Sequence, residues 1–126
     1  MILLDTSILI EMFRVKDKTT TLFYQLSKGN NDFAISIITH YEIFRGSNDI
    51  QNVFWTNLLK NVEVLPFDVK SSNEAIRIYK LLKSQNQMID LADLLIAATA
   101  SAYNLSVATL NFKHFIKIQG LHVINN

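Results

Sequence analysis

Short apolar runs alternate along this chain with longer stretches in which apolar residues recur every three or four positions. Ile2-Leu3-Leu4 predicts a short first strand, and Thr6 or Ser7 then caps a helix reaching about Phe13. Thr20 to Lys28 predicts a second helix with Leu22, Phe23 and Leu26 at helical spacing, closed by a turn at Gly29-Asn30-Asn31-Asp32. Phe33 to Ile37 predicts a strand, Thr39 to Arg45 a helix ended by Gly46, and Ile50 to Lys60 a further helix with Ile50, Val53, Phe54 and Leu58 on one face. Val62 to Leu65 predicts a third strand stopped by Pro66. A long amphipathic helix follows over Ser71 to Ser84, with Ala75, Ile78, Leu81 and Leu82 inward, and Leu91 to Tyr103 predicts an apolar, largely buried helix. Ser106 to Thr109 predicts a fourth strand, Phe112 to Ile116 a short helix and Leu121 to Ile124 a last strand.

Strands that alternate with helices predict an α/β protein: a three-layer α/β/α sandwich around a mostly parallel sheet. Nothing in the 126 residues reads as a linker or a repeat, so a single domain spanning 1–126 is expected. With 49% hydrophobic and 18% charged residues the chain is too apolar for disorder. It has no cysteine, which excludes disulfides and thiolate metal sites and fits a reducing cytoplasm. The N-terminal apolar stretch is interrupted by Asp5 and lacks a basic start, and Leu91 to Leu105 contains Asp93 and is too short to span a bilayer, so no membrane partner is expected. A net charge of +1 gives no bulk attraction to nucleic acid, so any such contact must rest on local clusters.

In parallel sheets, sites form beyond the carboxyl ends of the strands. Asp5 directly follows the first strand, Asn111 lies two residues after the fourth, Glu42 is in the helix after the second, and Asp93 opens the apolar helix. Each has a plainer explanation. Asp5 suits a helix cap. Glu42 lies three residues after Thr39, the spacing of a capping box. Asp90 and Asp93 repeat that spacing, and capping accounts fully for Asp90. Taken together, however, several carboxylates on one partly buried rim repel one another, and a hard divalent cation removes the conflict. Oxygen ligands without cysteine or a histidine pair point to Mg²⁺, with Mn²⁺ as a substitute, rather than Zn²⁺. His40 reads as a surface residue, His122 as structural, and His114 as either exposed or placed to touch phosphate.

At these residues the sequence resembles PIN-domain proteins, in particular VapC-type toxins of toxin–antitoxin pairs. The resemblance lies in LLDTSILIE (Leu3 to Glu11), SIITHYEIFRG (Ser36 to Gly46), DLLIAATA (Asp93 to Ala100) and VATLNFKHFIKIQGLHV (Val107 to Val123). It implies Mg²⁺-dependent endoribonuclease activity, a cognate antitoxin and a homodimer. It matches Asp5, Glu42 and Asp93 to the family's three acidic residues and Ser7 to a polar residue lining the site. After the fourth strand, Asn111 stands available as an amide, while His114 occupies a position where many relatives carry Asp.

On this reading Asp5 and Asp93 are direct metal ligands, Glu42 holds a metal-bound water or a second ion, and Asp90 lines the site. Arg14, Lys16, Arg45, Lys113, Lys117 and His114 are candidates to carry the RNA backbone. Three alternatives remain at this level. A phospho-receiver module lacks support, because Asp5 stands alone after the first strand, no Asp ends the third strand and the last strand ends in Asn125-Asn126 rather than a Lys. A housekeeping RNA-processing nuclease, or a catalytically weak PIN domain that only binds RNA or a partner, shares the same sequence features. The apolar bulk of Ile8, Leu9, Met12, Phe13, Phe44, Val53, Phe54 and Trp55 predicts a groove for a partner helix, with Leu9 and Phe44 conceded to the core.

Overall fold

The structure is a computed structural model that describes residues 1–29 and 31–125. Asn30, within the turn expected at 29–32, and Asn126 lie outside the described residues. Five strands, β1 (Ile2–Leu4), β2 (Phe33–Ser36), β3 (Glu63–Leu65), β4 (Ser106–Ala108) and β5 (Val123–Ile124), form one sheet in the order β3-β2-β1-β4-β5. Every pairing is parallel. β1 is therefore the central strand, and the chain turns outward from it in both directions.

Alternation along each strand feeds two cores. Leu3, Ala34, Leu65 and Val107 face one side, where they meet Ile78 and Leu82 of α5 (Val69–Ser84), Leu94, Ala97 and Ala98 of α6 (Leu91–Ala102), and Phe115 of α7 (Phe112–Phe115). Ile2, Leu4, Ile35 and Ala108 face the other, against Ile8 and Leu9 of α1 (Thr6–Arg14), Leu22 and Phe23 of α2 (Leu22–Ser27), Ile43 of α3 (Ile37–Phe44) and Trp55 of α4 (Asp49–Leu58). Residues that point to opposite faces of one strand thus bury against different helical layers, which is the expected three-layer sandwich.

Local chemistry sets the helix ends. Thr21 caps α2 by accepting from Tyr24 N–H, and the Glu11 carboxylate of α1 accepts from Leu22 N–H at 2.8 Å, tying the two helices together. Lys18 donates to the carbonyls of Phe13 and Val15 at 3.0 and 2.8 Å and so closes the C-terminus of α1. Asn48 and Gln51 form a reciprocal capping box on α4, and Asp68 caps α5.

Two expectations need correction. The helix after β2 starts two residues earlier than the sequence predicts: Ser36 is its cap, accepting from Thr39 N–H at 3.0 Å, so Thr39 and Glu42 form no capping box. Ile37 suggests a strand by its branching, but the Ser36 hydroxyl already satisfies one of the free N–H groups of the first turn, that of Thr39, and lets the helix begin. The expected groove residues are also divided. Ile8, Leu9 and Trp55 are core, Met12, Phe13, Phe44 and Phe54 are half-buried, and only Val53 is exposed. Among the described residues no helix is long and apolar enough to cross a membrane.

Trp55 is 4% exposed, stacks on Phe13 at 5.4 Å and meets Phe54 edge-on at 5.1 Å. Trp55→Ala is expected to destabilise the fold by about 3–5 kcal/mol, the usual loss for a buried aromatic. Urea unfolding of both proteins measures it.

Candidate active site

The parallel register brings the strand ends level. Leu3 pairs with Val107 and Leu4 with Ala108, and Asp5 N–H continues the ladder to Ala108 C=O at 2.9 Å. Asp5 and Thr109 are thereby neighbours just past the carboxyl ends of β1 and β4. On the other side, Leu3 pairs with Ala34, so Ser36 ends β2 beside Asp5. The strand order reverses between β1 and β4, which makes this the topological switch point of the sheet, where such folds place their ligands.

Asp5 is 1% exposed. It occupies the cap position of α1 but makes no capping hydrogen bond, so the plainer reading of Asp5 fails. Instead its Oδ2 accepts from Ser7 Oγ at 2.7 Å and Thr109 Oγ1 at 2.8 Å. Ser7 Oγ in turn accepts from Leu110 N–H at 3.0 Å, and Thr109 Oγ1 from Asn111 N–H at 2.9 Å. Burial pushes the Asp5 carboxyl up; the Ser7 and Thr109 hydroxyls pull against that, and the negative charge of Asp93 adds to it. Among the described residues no cation lies within ion-pair distance of Asp5.

Asp93 stands in the first turn of α6, at its positive end, and its Oδ2 is 2.9 Å from His114 Nδ1. Glu42 Oε1 accepts from Thr6 Oγ1 at 2.7 Å, and Thr6 Oγ1 is 2.9 Å from Thr39 Oγ1, which is buried. The three acidic residues are thus each held by a different donor set. The negative charge of Asp93 reaches Asp5, and Glu42 connects through Thr6, the residue after Asp5.

The remaining candidates divide. Ser7 lies in the site. Asn111 joins it through its backbone N–H on Thr109, and its side chain is exposed and makes no cap bond on α7. Asp90 occupies the cap position of α6 without a side-chain cap bond and is exposed, so capping does not account for it. Arg14 and Arg45 are exposed on the rims of two concavities that both include Glu42, and Lys113 is exposed beside His114. Lys16 is exposed and Lys117 half-buried. His40 is half-buried against Phe44, with rings 4.8 Å apart, and His122 Nδ1 is 2.7 Å from Ser106 Oγ at the far end of β4. Thr109 and Thr39 are the site residues that sequence reading passes over. The one signal for Thr109 is its place at the carboxyl end of the fourth predicted strand, which the structure ends one residue earlier, at Ala108.

Among the described residues no three acidic or histidine side chains are close enough together to enclose a metal. Mg²⁺ does not require such a cage; it is commonly held by one or two carboxylates, with waters and substrate phosphates completing its shell. A buried carboxylate oriented by hydroxyls, lacking a counter-charge and within electrostatic reach of a second carboxylate, fits that donor chemistry.

A profile of the PIN domain matches residues 2–121, so the chain belongs to the PIN-domain family. Within the family it is of the VapC type. It is 34% identical to Ribonuclease VapC1 of Methanocaldococcus jannaschii over 94% of this chain and 81% of that protein. The VapBC2 structure from Rickettsia felis, bound to a DNA fragment from their promoter, contains a chain 28% identical with a TM-score of 0.86, covering 100% of this chain and 99% of that one. A toxin–antitoxin complex from Klebsiella pneumoniae contains another, 26% identical with a TM-score of 0.77, over 98% and 96% of the two chains.

A carboxyl raised by the fold contributes stability that is complete below its unfolded value and is lost as the pH rises through its folded value. In Asp5→Asn the amide oxygen still accepts from Ser7 and Thr109, but carries no charge. The metal-free variant is therefore expected to be more stable than the parent at about pH 7, and the gap is expected to close towards about pH 4. Paired urea titrations in EDTA at the two pH values measure that gap, and the difference cancels the other carboxylates.

Proposed function

We propose that this protein is a metal-dependent endoribonuclease, the toxin of a toxin–antitoxin pair, which hydrolyses RNA phosphodiester bonds with Mg²⁺ and accepts Mn²⁺ in its place. The observation that carries the reading is Asp5: a carboxylate buried at the switch point, fixed by hydroxyls, next to Asp93 and without a cation. The relative's name, a ribonuclease, supports the substrate class, and cellular RNA puts the work in the cytoplasm.

Asp5 and Asp93 would hold the ion. When bound, it lowers the pKa of an attached water and polarises the phosphate. Glu42, fixed by Thr6, orients water at the rim. Arg14 and Arg45 flank Glu42 and, with Lys113, steady the RNA backbone. Products with a 3′-hydroxyl and a 5′-phosphate are expected.

Two apolar surfaces fit the partners. A cleft of about 200 Å³, lined by Ile10, Phe13, Ile43 and Trp55 with Arg14 and Glu42 at its edge, suits an amphipathic helix of the antitoxin. The complexes formed by the similar structures support this occupant. A basic side chain on that helix would meet Glu42 and neutralise the rim. On the opposite layer, Ile76 and Tyr79 of α5 and Leu91 of α6 are exposed around a shallow apolar hollow, which a neighbouring hollow beside Tyr41 extends through Leu91 and Leu95. This continuous surface suits a second copy of the chain.

RNA cleavage is expected to need Mg²⁺ or Mn²⁺ and to stop in excess EDTA. Asp5→Asn and Asp93→Asn are each expected to abolish it, because loss of a ligand charge weakens the hold on the ion, while Asp90→Asn, at an exposed side chain that makes no hydrogen bond to the other carboxylates, keeps most of the rate. Mapping of new ends in total RNA reads all three. Undiminished cleavage in EDTA would sink the metal assignment. For the partner surfaces, the protein is expected to elute as a dimer, Leu91→Glu as a monomer, and the parent co-expressed with its neighbouring small open reading frame as a stable complex. Harmless expression without that neighbour, with cleavage intact, would favour a housekeeping nuclease.

A further inference from the structure

His114 is the one histidine that reaches the carboxylates. α7 is short, but Phe115 is 0% and Ile118 3% exposed, and their burial pins this segment against the layer that contains α6. His114 is thereby directed at Asp93 rather than at solvent, and the two side chains are 35% and 14% exposed. An ionised carboxylate oxygen has no hydrogen to give, so the ring nitrogen facing it must donate. Nδ1–H therefore occupies one lone-pair direction of Asp93 Oδ2 and fixes the rotation of the carboxylate, as the Ser7 and Thr109 hydroxyls do for Asp5. A carboxylate at position 114 would do neither. It would add a negative charge beside Asp93, next to an Asp5 whose carboxyl burial and Asp93 already push up.

We propose that His114 is a positioning residue that holds Asp93, through its Nδ1–H, as part of a site for a single divalent cation rather than a pair. The proposal rests on the metal-dependent reading above. It follows from charge as well as geometry. A second ion at short range from the first needs further anionic ligands to offset their repulsion. Among the described residues close past β4 are a histidine already engaged with Asp93 and an exposed asparagine side chain, and Glu42, the other candidate to hold a second ion, is engaged with Thr6. Partners of ligating carboxylates characteristically change metal affinity by about 10–100-fold when removed.

The test is Mn²⁺ binding to the RNA-free protein, with free Mn²⁺ counted by its electron paramagnetic resonance signal, and with circular dichroism to verify folding. The parent is expected to bind one Mn²⁺. His114→Ala is expected to bind it about 10–100-fold more weakly, and His114→Asn, whose amide N–H can replace Nδ1–H, to recover most of the loss. His114→Asp is expected to take up a second ion. Nitrogen-15 spectra of the metal-free parent are expected to show the His114 ring hydrogen on Nδ1, a signature that a merely space-filling role does not require. Binding by His114→Ala equal to the parent, or two ions of similar affinity in the parent, overturns the proposal and leaves the metal reading standing, provided Asp93→Asn loses the ion. Absence of binding in the parent overturns both.

Discussion

A carboxylate buried at the end of the central strand is the constraint around which this fold is arranged. Leaving water is costly for a charge, and burial pushes the Asp5 carboxyl up accordingly. Two hydroxyls offset part of that cost, and each arrives by a different route. Ser7 comes from the first turn of α1, two residues along the chain. Thr109 comes from the other half of the protein, 104 positions away, and depends wholly on the pairing of Leu4 with Ala108. A slip of one residue in that register would turn Thr109 to the other face and leave the carboxylate with one hydroxyl fewer. The parallel β1–β4 ladder and the chemistry of Asp5 are therefore not separable.

The two-sided burial of β1 follows from the same strand order. With β2 on one edge and β4 on the other, Leu3 and Leu4 are both 0% exposed although they point to opposite layers. The layers come from different halves of the chain, α1 to α4 on one side and α5 to α7 on the other, and their elements converge at the carboxyl ends of the strands. Glu42 reaches that rim from the first half, and Asp93 and His114 from the second. Packing of either layer thus fixes only part of the site, and the sheet brings the parts together.

Much of this was legible in the sequence because strands buried on both faces are short apolar runs, and β1, β2 and β4 are such runs. Asp5 stood out for the same reason: it ends the first run. What the sequence hid was of two kinds. Local hydrogen bonding decided between equal candidates, as at Ser36, which starts α3 before Thr39 can cap it, and at Asp90, which holds the cap position without capping. Long-range register decided the rest. A threonine that donates to Asp5 is indistinguishable, in one dimension, from any threonine after a strand, and Thr6 reads as a cap until its hydroxyl is seen on Glu42. The groove was overestimated because Ile8 and Trp55 belong to the layer beneath it; apolar spacing marks a buried face without saying which element covers it.

The choice of donors also carries an electrostatic logic. An arginine or lysine beside Asp5 would have held the carboxylate as firmly and cancelled its charge. Hydroxyls orient without cancelling. Ser7 and Thr109 on Asp5, and Thr6 on Glu42, leave the formal charge of the rim in place, while Arg14, Arg45 and Lys113 remain exposed at its margins. Negative potential is thereby concentrated at the strand ends and positive charge kept outside it. Burial, with the charge of Asp93 added to it, raises the Asp5 carboxyl, so the strand ends carry a charge that the described side chains orient but do not neutralise.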